Sequence, residues 1–351
     1  MNDWGNVHLA TISCMDSLSQ LVLGSAISIA VMGRRTAVWK AALWGGVAGT
    51  LPDLDALLDF GDAVSNMVYH RAQSHGLFYL TLFAPLMAWL VSSLHGEKVL
   101  FKRWLLALWL ALFTHPILDW FTIYGTQLWQ PFSDKPLGLG SMFIVDPLYT
   151  LPLLIGVIAA LASKPSGLHW NALALGFSCV YLAWSAMAQM HVHSVVRETL
   201  AARGISGAKF FATPAPLNTI LWRVVVLRPG GFEEGYYSLL DKERRIQFDP
   251  FKSDDTLRDA LKSNKDVQRL TAFTGGFVKL QEKNGKALLS DLRMGQEPGY
   301  VFTFTIAERD AQQLNGWRDL PAVNVGERGD ADKLFAWLWP RMLGQALPPP
   351  R

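Results

Sequence analysis

The side chains in this chain that could do chemistry are carboxylates and imidazoles gathered into a few short stretches of its first half. Asp16 opens MDSLSQLVLG, Asp53 and Asp55 stand in LPDLDALLD, and His70 and His75 frame YHRAQSHG with Arg71 beside them. His115 and Asp119 lie in THPILDWF, and Asp146 in FIVDPLY. Carboxylates and neutral imidazoles together suit a borderline divalent cation such as zinc. The expected ligand set is Asp16, Asp53, Asp55, His70, His75, His115 and Asp119, holding one or two ions. Such ions lower the pKa of a bound water toward neutrality, for attack on a phosphorus or carbonyl centre.

Each short motif also has a plainer reading. The i, i+4 spacing of His115 and Asp119 puts both on one helix face, where they can chelate an ion or form a helical ion pair, with Pro116 distorting the turn between them. Asp53 and Asp55 point the same way only on an extended chain, and otherwise cap a helix end. Asp59 could face with Asp55. Ser74 caps the helix expected next, which leaves His75 in its first turn, where the dipole favours a neutral ring. Asp16 reads more simply as an N-cap. His191 and His193, as HVH, could complete the ligand set or be ordinary interfacial histidines. An aspartate not needed as ligand, Asp53 or Asp55, would serve as general base, and Arg71 would steady the developing oxyanion.

The elements that must position these residues are apolar. Half of the 351 residues are hydrophobic and 17% are charged. Residues 1–189 carry 9 Lys/Arg and 10 Asp/Glu, leaving 23 and 19 for the rest. Six apolar segments stand out: Ser17–Met32, Ala37–Leu51, Gly76–Leu94, Trp104–Phe121, Leu148–Ser163 and Trp170–Gln189. Read as membrane helices, they predict a mainly α fold, a multi-pass transmembrane bundle over 1–189, followed by a smaller soluble α+β domain over 190–351.

Six alternating crossings would place Arg34, Arg35, Lys40, Lys98, Lys102, Arg103 and Lys164 on one side, and Arg71, Lys135, Arg197 and Arg203 on the other. The positive-inside rule then puts the first set in the cytoplasm, and the acid and histidine clusters with the C-terminal domain outside. Nothing resembling a cleaved signal peptide precedes the first segment. Beyond Gln189 the pattern alternates at Thr219–Leu227, Glu234–Leu240 and Tyr300–Ile306, with a hairpin expected at Asn284-Gly285 and helices at Asp254–Ser263 and Asp330–Trp339. Pro348–Pro350 reads as a frayed end. A net charge of +3 with no basic run among aromatics gives nucleic acid nothing to bind.

Together MDSLSQLVLG, GTLPDLDALLDFGD, YHRAQSHG, THPILDWFTIYGTQLWQPFSD and FIVDPLYTLPLL resemble the YdjM-like family of bacterial inner-membrane proteins, described as membrane-bound metal-dependent hydrolases. The resemblance covers roughly residues 14 to 160, and the C-terminal part looks like an extension carried by one branch of that family. More distantly, an Asp, a His about 15 residues on, and HxxxD are similar to the zinc-dependent phospholipase C and P1 nuclease superfamily. That likeness would make Asp55, His70, His115 and Asp119 ligands. The downstream HxxxE and the ligating N-terminal tryptophan of that superfamily are missing, so it implies one or two ions rather than three.

The resulting expectation is a hydrolase at the bacterial inner membrane, acting on a small-molecule or lipid ester, with membrane lipid as its natural partner. An ion- or proton-coupled transporter and a non-catalytic anchor for the C-terminal domain are the alternatives. Transport would favour ligands at the bilayer midplane, whereas these lie at segment ends. No protein partner is legible.

Overall fold

A computed structural model describes residues 4–162, 166–327 and 329–351, with side chains from Ser17 onward. The helices run α1 (Trp4–Met32), α2 (Val38–Thr50), α3 (Ala63–Tyr69), α4 (Leu77–Leu94), α5 (Phe101–Trp120), α6 (Pro147–Ala162), α7 (Ser166–Ala202), α8 (Asp255–Ala260), α9 (Lys265–Phe273) and α10 (Ala331–Met342). A 3-10 helix, Leu51–Leu57, continues directly from α2. The strands are β1 (Phe210–Pro214), β2 (Leu221–Arg228), β3 (Gly231–Ser238), β4 (Phe248–Lys252), β5 (Val278–Lys283), β6 (Lys286–Asp291), β7 (Gly295–Gln296), β8 (Gly299–Tyr300), β9 (Thr303–Arg309) and β10 (Trp317–Asn324). The chain forms two compact units. One holds residues through Leu58 with 69–139 and 144–185; the other holds 59–68, 140–143 and 186–351.

In the first unit α1 and α2 pack backbone to backbone. A Cβ placed on Gly24 would stand 2.2 Å from the Gly45 carbonyl oxygen, and one on Gly49 would stand 2.4 Å from that of Gln20. Only glycine permits that approach, as at small-residue helix contacts generally. Trp104, Leu108 and Leu112 of α5 and Leu153 of α6 are fully buried in the same unit.

The membrane reading needs correction here. Among the described residues, two helices are long and apolar enough to cross a bilayer, α4 and α7. The stretches Ser17–Met32 and Pro147–Ala162 are apolar but shorter. α2 has 13 residues, about 20 Å at 1.5 Å per residue against a hydrocarbon core of about 30 Å. α5 starts on Lys102 and Arg103 and ends on His115 and Asp119. A mainly α, multi-pass bundle of six spans is therefore not the architecture, and the side assignment counted from six crossings lapses with it.

The second unit is built on two four-stranded antiparallel sheets, ordered β1-β2-β3-β4 and β10-β9-β6-β5, beside the small pair β7-β8. β2 is buried over Leu221–Val226 because its sheet is covered on both faces. Trp222, Val224 and Val226 pack on Val192, Val195, Val196 and Leu200 of α7. Leu221 packs on Trp337, Leu338 and Met342 of α10.

Candidate metal centre

Four side chains of the first unit bring one ligand atom each to a common point: Asp53 Oδ1, His75 Nε2, His115 Nε2 and Asp119 Oδ2. Asp53 comes from the 3-10 helix and His75 from the 3-10 turn Gln73–His75 before α4; His115 and Asp119 come from the last turns of α5. The two Nε2 atoms are 3.0 Å apart. Asp119 Oδ2 is 3.2 Å from His75 Nε2 and 3.4 Å from His115 Nε2, and Asp53 Oδ1 is 3.4 Å from both. Ligands about 2.0–2.2 Å from a tetrahedral cation stand roughly 3.4 Å from each other, so these spacings fit one ion of that size. His75 and His115 are fully buried, Asp119 nearly so, and Asp53 is the most exposed of the four at 9%.

The outer nitrogens of both rings are fixed by partners that settle the tautomer. His115 Nδ1 lies 2.6 Å from the Gly49 carbonyl oxygen, which can only accept, so that nitrogen carries the hydrogen. Ser74 gives its one hydroxyl hydrogen to Asp55 Oδ2 at 2.5 Å. Its oxygen, 2.8 Å from His75 Nδ1, therefore receives the His75 N–H. Both Nε2 lone pairs are thereby turned inward. Asp53 Oδ1 and Asp119 Oδ2 are buried and accept no hydrogen bond. Two unsatisfied carboxylate oxygens facing two imidazole lone pairs are a donor set that suits a cation.

The electrostatics agree. Burial alone would raise the Asp53 carboxyl, but the His115 and His75 rings outweigh it and hold it well below the usual carboxylate range. Burial opposes a charge on His75, yet Asp119 and Asp53 outweigh it and lift the ring above its ordinary value.

Around the four stands a supporting layer. Gln20 of α1 donates from Nε2 to Asp119 Oδ1 at 3.0 Å and to the His115 carbonyl at 3.1 Å. Arg71 Nη1 lies 3.3 Å from Asp119 Oδ1 and 3.4 Å from Thr122 Oγ1. Its guanidinium carbon stands 5.1 Å from the Tyr124 ring centroid. Arg71 has a left-handed backbone, φ 64°, uncommon outside glycine. That turn lets its N–H reach Asp55 Oδ2 at 3.0 Å while its carbonyl accepts from the Gln127 N–H.

The seven expected ligands divide. Asp53, His75, His115 and Asp119 converge. Asp55 and His70 pair with each other, His70 Nδ1 at 2.8 Å from Asp55 Oδ1, because a 3-10 helix rotates about 120° per residue and turns positions 53 and 55 apart. The side chain of Asp16 lies outside the described residues. Arg71 is buried against Asp119. Asp59 turns to the Gly61 N–H and Asn66. Gly76, rather than Ser74, precedes α4 as its cap. Pro116 does not separate its neighbours, since α5 runs through it. His191 lies against Tyr237 and His193 against Phe210 in the second unit. Gln20, Ser74 and the Gly49 carbonyl were not anticipated as supports. A glutamine inside an apolar helix and the Gly45, Gly49 spacing were the available signals.

Residues 15–192 match the family described as YdjM inner membrane protein. Over 305 residues the chain is 24% identical to the uncharacterized protein YfhP of Bacillus subtilis (strain 168), a match covering 82% of this chain and 89% of that one. Residues 1–192 are little more than half the chain, so that match necessarily extends into the second unit. No solved structure matches.

Proposed function

The chain belongs to the YdjM inner membrane protein family, and on that footing we propose that its helical unit is a metal-dependent hydrolase of phosphoesters or lipid-like esters. One observation carries the reading: two buried imidazoles hold their Nε2 atoms 3.0 Å apart with both outer nitrogens fixed as donors. Facing lone pairs at that distance repel unless a proton or a cation lies between them. The two bare carboxylate oxygens beside them favour the cation. When bound, a divalent ion such as zinc would be held by Asp53, His75, His115 and Asp119 and would supply Lewis acidity and, at a position beyond those four, a water acidified toward neutrality.

The rest of the work falls to the chain. The Gly49 carbonyl and the Ser74 hydroxyl keep both rings in the ligating tautomer. Asp55 is the aspartate left over from ligation, and it fixes His70, whose side chain is 22% exposed. That pair can pass a proton to a leaving group. Leu54, Leu57 and Leu58 stand exposed beside Asp53 and Asp55, and Tyr69 beside His70. Apolar residues next to a polar centre suit an amphiphilic substrate.

The test is the metal content of protein purified without chelator, alongside metal-dependent hydrolysis of nitrophenyl phosphodiester and carboxylester probes. Wild-type protein should carry stoichiometric metal and hydrolyse a probe, and the His115→Ala, Asp119→Ala double variant should do neither. A wild-type protein that binds no divalent ion overturns the proposal.

A further inference from the structure

We infer that this centre is built for a single cation, with Arg71 standing where a two-ion centre would carry its second metal. The inference rests on the metal-binding reading above and adds its stoichiometry. In two-ion hydrolytic centres the ions lie about 3.5–4 Å apart, close enough for one carboxylate to bridge them. Asp119 has the place of such a bridge. Its Oδ2 faces the two imidazoles, while its Oδ1 meets the Arg71 guanidinium at 3.3 Å and the Gln20 amide at 3.0 Å. The far side of the bridge is thus taken by a fixed side-chain charge.

Among the described residues, the other donors within reach are spent. Asp55 Oδ1 is taken by His70, and Oδ2 by the Arg71 N–H and the Ser74 hydroxyl. The outer nitrogens of His75 and His115 are taken by Ser74 and Gly49. Charge leads to the same count. Together the carboxylates of Asp53, Asp55 and Asp119 balance one divalent ion and the Arg71 guanidinium, which lies against Asp119 Oδ1. A second divalent ion would bring two more positive charges into a buried cluster whose three carboxylates are already balanced, which the interior disfavours.

The experiment uses the full chain in detergent, stripped with chelator and dialysed to equilibrium against zinc, with bound metal counted by elemental analysis. One zinc per chain is expected. Two per chain would overturn this inference and leave the metal reading standing, whereas none would overturn both. With manganese at saturation, the expected paramagnetic resonance is the six-line signal of an isolated ion, and a spin-coupled signal overturns the inference. Arg71→Gln keeps a donor for Asp119 but removes the charge that repels the ion. It should bind zinc at least ten-fold more tightly, and unchanged or weaker binding with an unchanged circular dichroism spectrum would overturn the part given to the guanidinium.

Discussion

The backbone carbonyl of Gly49 and the imidazole of His115 meet at 2.6 Å, so the packing of α2 on α1 reaches directly into the candidate metal centre. Gly49 has no room for a side chain, since a Cβ there would lie 2.4 Å from the Gln20 carbonyl oxygen. Gly49→Ala must therefore push the two helices apart, moving the acceptor of His115 and the helix that carries Gln20. Loss of such an orienting partner typically costs about 10–100-fold in metal affinity. The expected outcome is zinc binding weakened by about that factor, read by competition with a chromophoric chelator. Ala48→Gly, one residue away, serves as the comparison. Equal affinity in Gly49→Ala and wild type would detach helix packing from metal binding.

A proton and a metal ion compete for the same point. In chelator-treated protein, His75 titrates above its ordinary value of 6.5, because the Asp119 and Asp53 carboxylates outweigh its burial. A raised folded-state pKa contributes stability that is fully present below the unfolded value and is lost as pH rises through the folded one. Asp53 is shifted downward from 3.8, so its contribution is present above that value and is lost only in strong acid. Stripped protein should therefore lose thermal stability as the pH rises above about 6.5. Zinc should abolish the loss, since the cation takes the proton's place, and its binding near neutral pH should release protons. Scanning fluorimetry across pH with and without zinc reads both effects. A stripped protein that grows more stable over that range would contradict the shared-proton arrangement.

The motifs that converge were legible because chemistry restricts them: His115 with Asp119 at helical spacing, His75 and Asp53 in polar punctuation between apolar runs. Local turn chemistry was legible for the same reason. Asn284-Gly285 carries positive φ at both positions, 53° and 71°, and closes the β5–β6 hairpin. Asp254 and Asp330 cap α8 and α10. What escaped depends on contacts between distant segments. The apolar runs were legible but the helix bounds were not: α2 stops after 13 residues where the chain passes into the 3-10 turn at Leu51, and α5 takes in Lys102 and Arg103. Asp55 turned away from Asp53 because the LPDLDAL stretch winds as a 3-10 helix, which no residue in it announces. The proline end read as frayed, yet the Pro350 carbonyl accepts from Gln296, and Arg351 reaches Glu234 at 2.5 Å.

In the second unit Arg223 and Glu234 form a buried pair, Arg223 Nε to Glu234 Oε2 at 2.8 Å, with Glu234 fully enclosed. Breaking such a pair strands a charge, at a cost of about 3–5 kcal/mol, whereas replacing both partners by apolar groups costs less. Arg223→Met should therefore lower stability by about that amount, and Arg223→Met with Glu234→Leu by less than the sum of the single changes. Arg351 also pairs with Glu234, so it should be kept in every variant. Denaturant unfolding measures the cycle. Strict additivity would show that the two residues do not depend on each other, and zinc stoichiometry should be unchanged throughout.

The leucines beside Asp53 and Asp55 separate an amphiphilic substrate from a small soluble one. Leu54 is 55% exposed, Leu57 82% and Leu58 59%, so substituting them removes little packing and should leave folding and zinc binding intact. If they receive an acyl chain, each exposed leucine exchanged for serine gives up apolar contact worth roughly 1–2 kcal/mol when covered. The triple Leu→Ser variant should then turn over a long-chain ester in mixed micelles at least ten-fold more slowly by kcat/KM. A short-chain nitrophenyl ester should be hydrolysed at the wild-type rate, because the metal ligands and the His70–Asp55 pair are untouched. Equal losses on both substrates would point to a damaged centre, and no loss on either would show that these side chains do not contact the substrate.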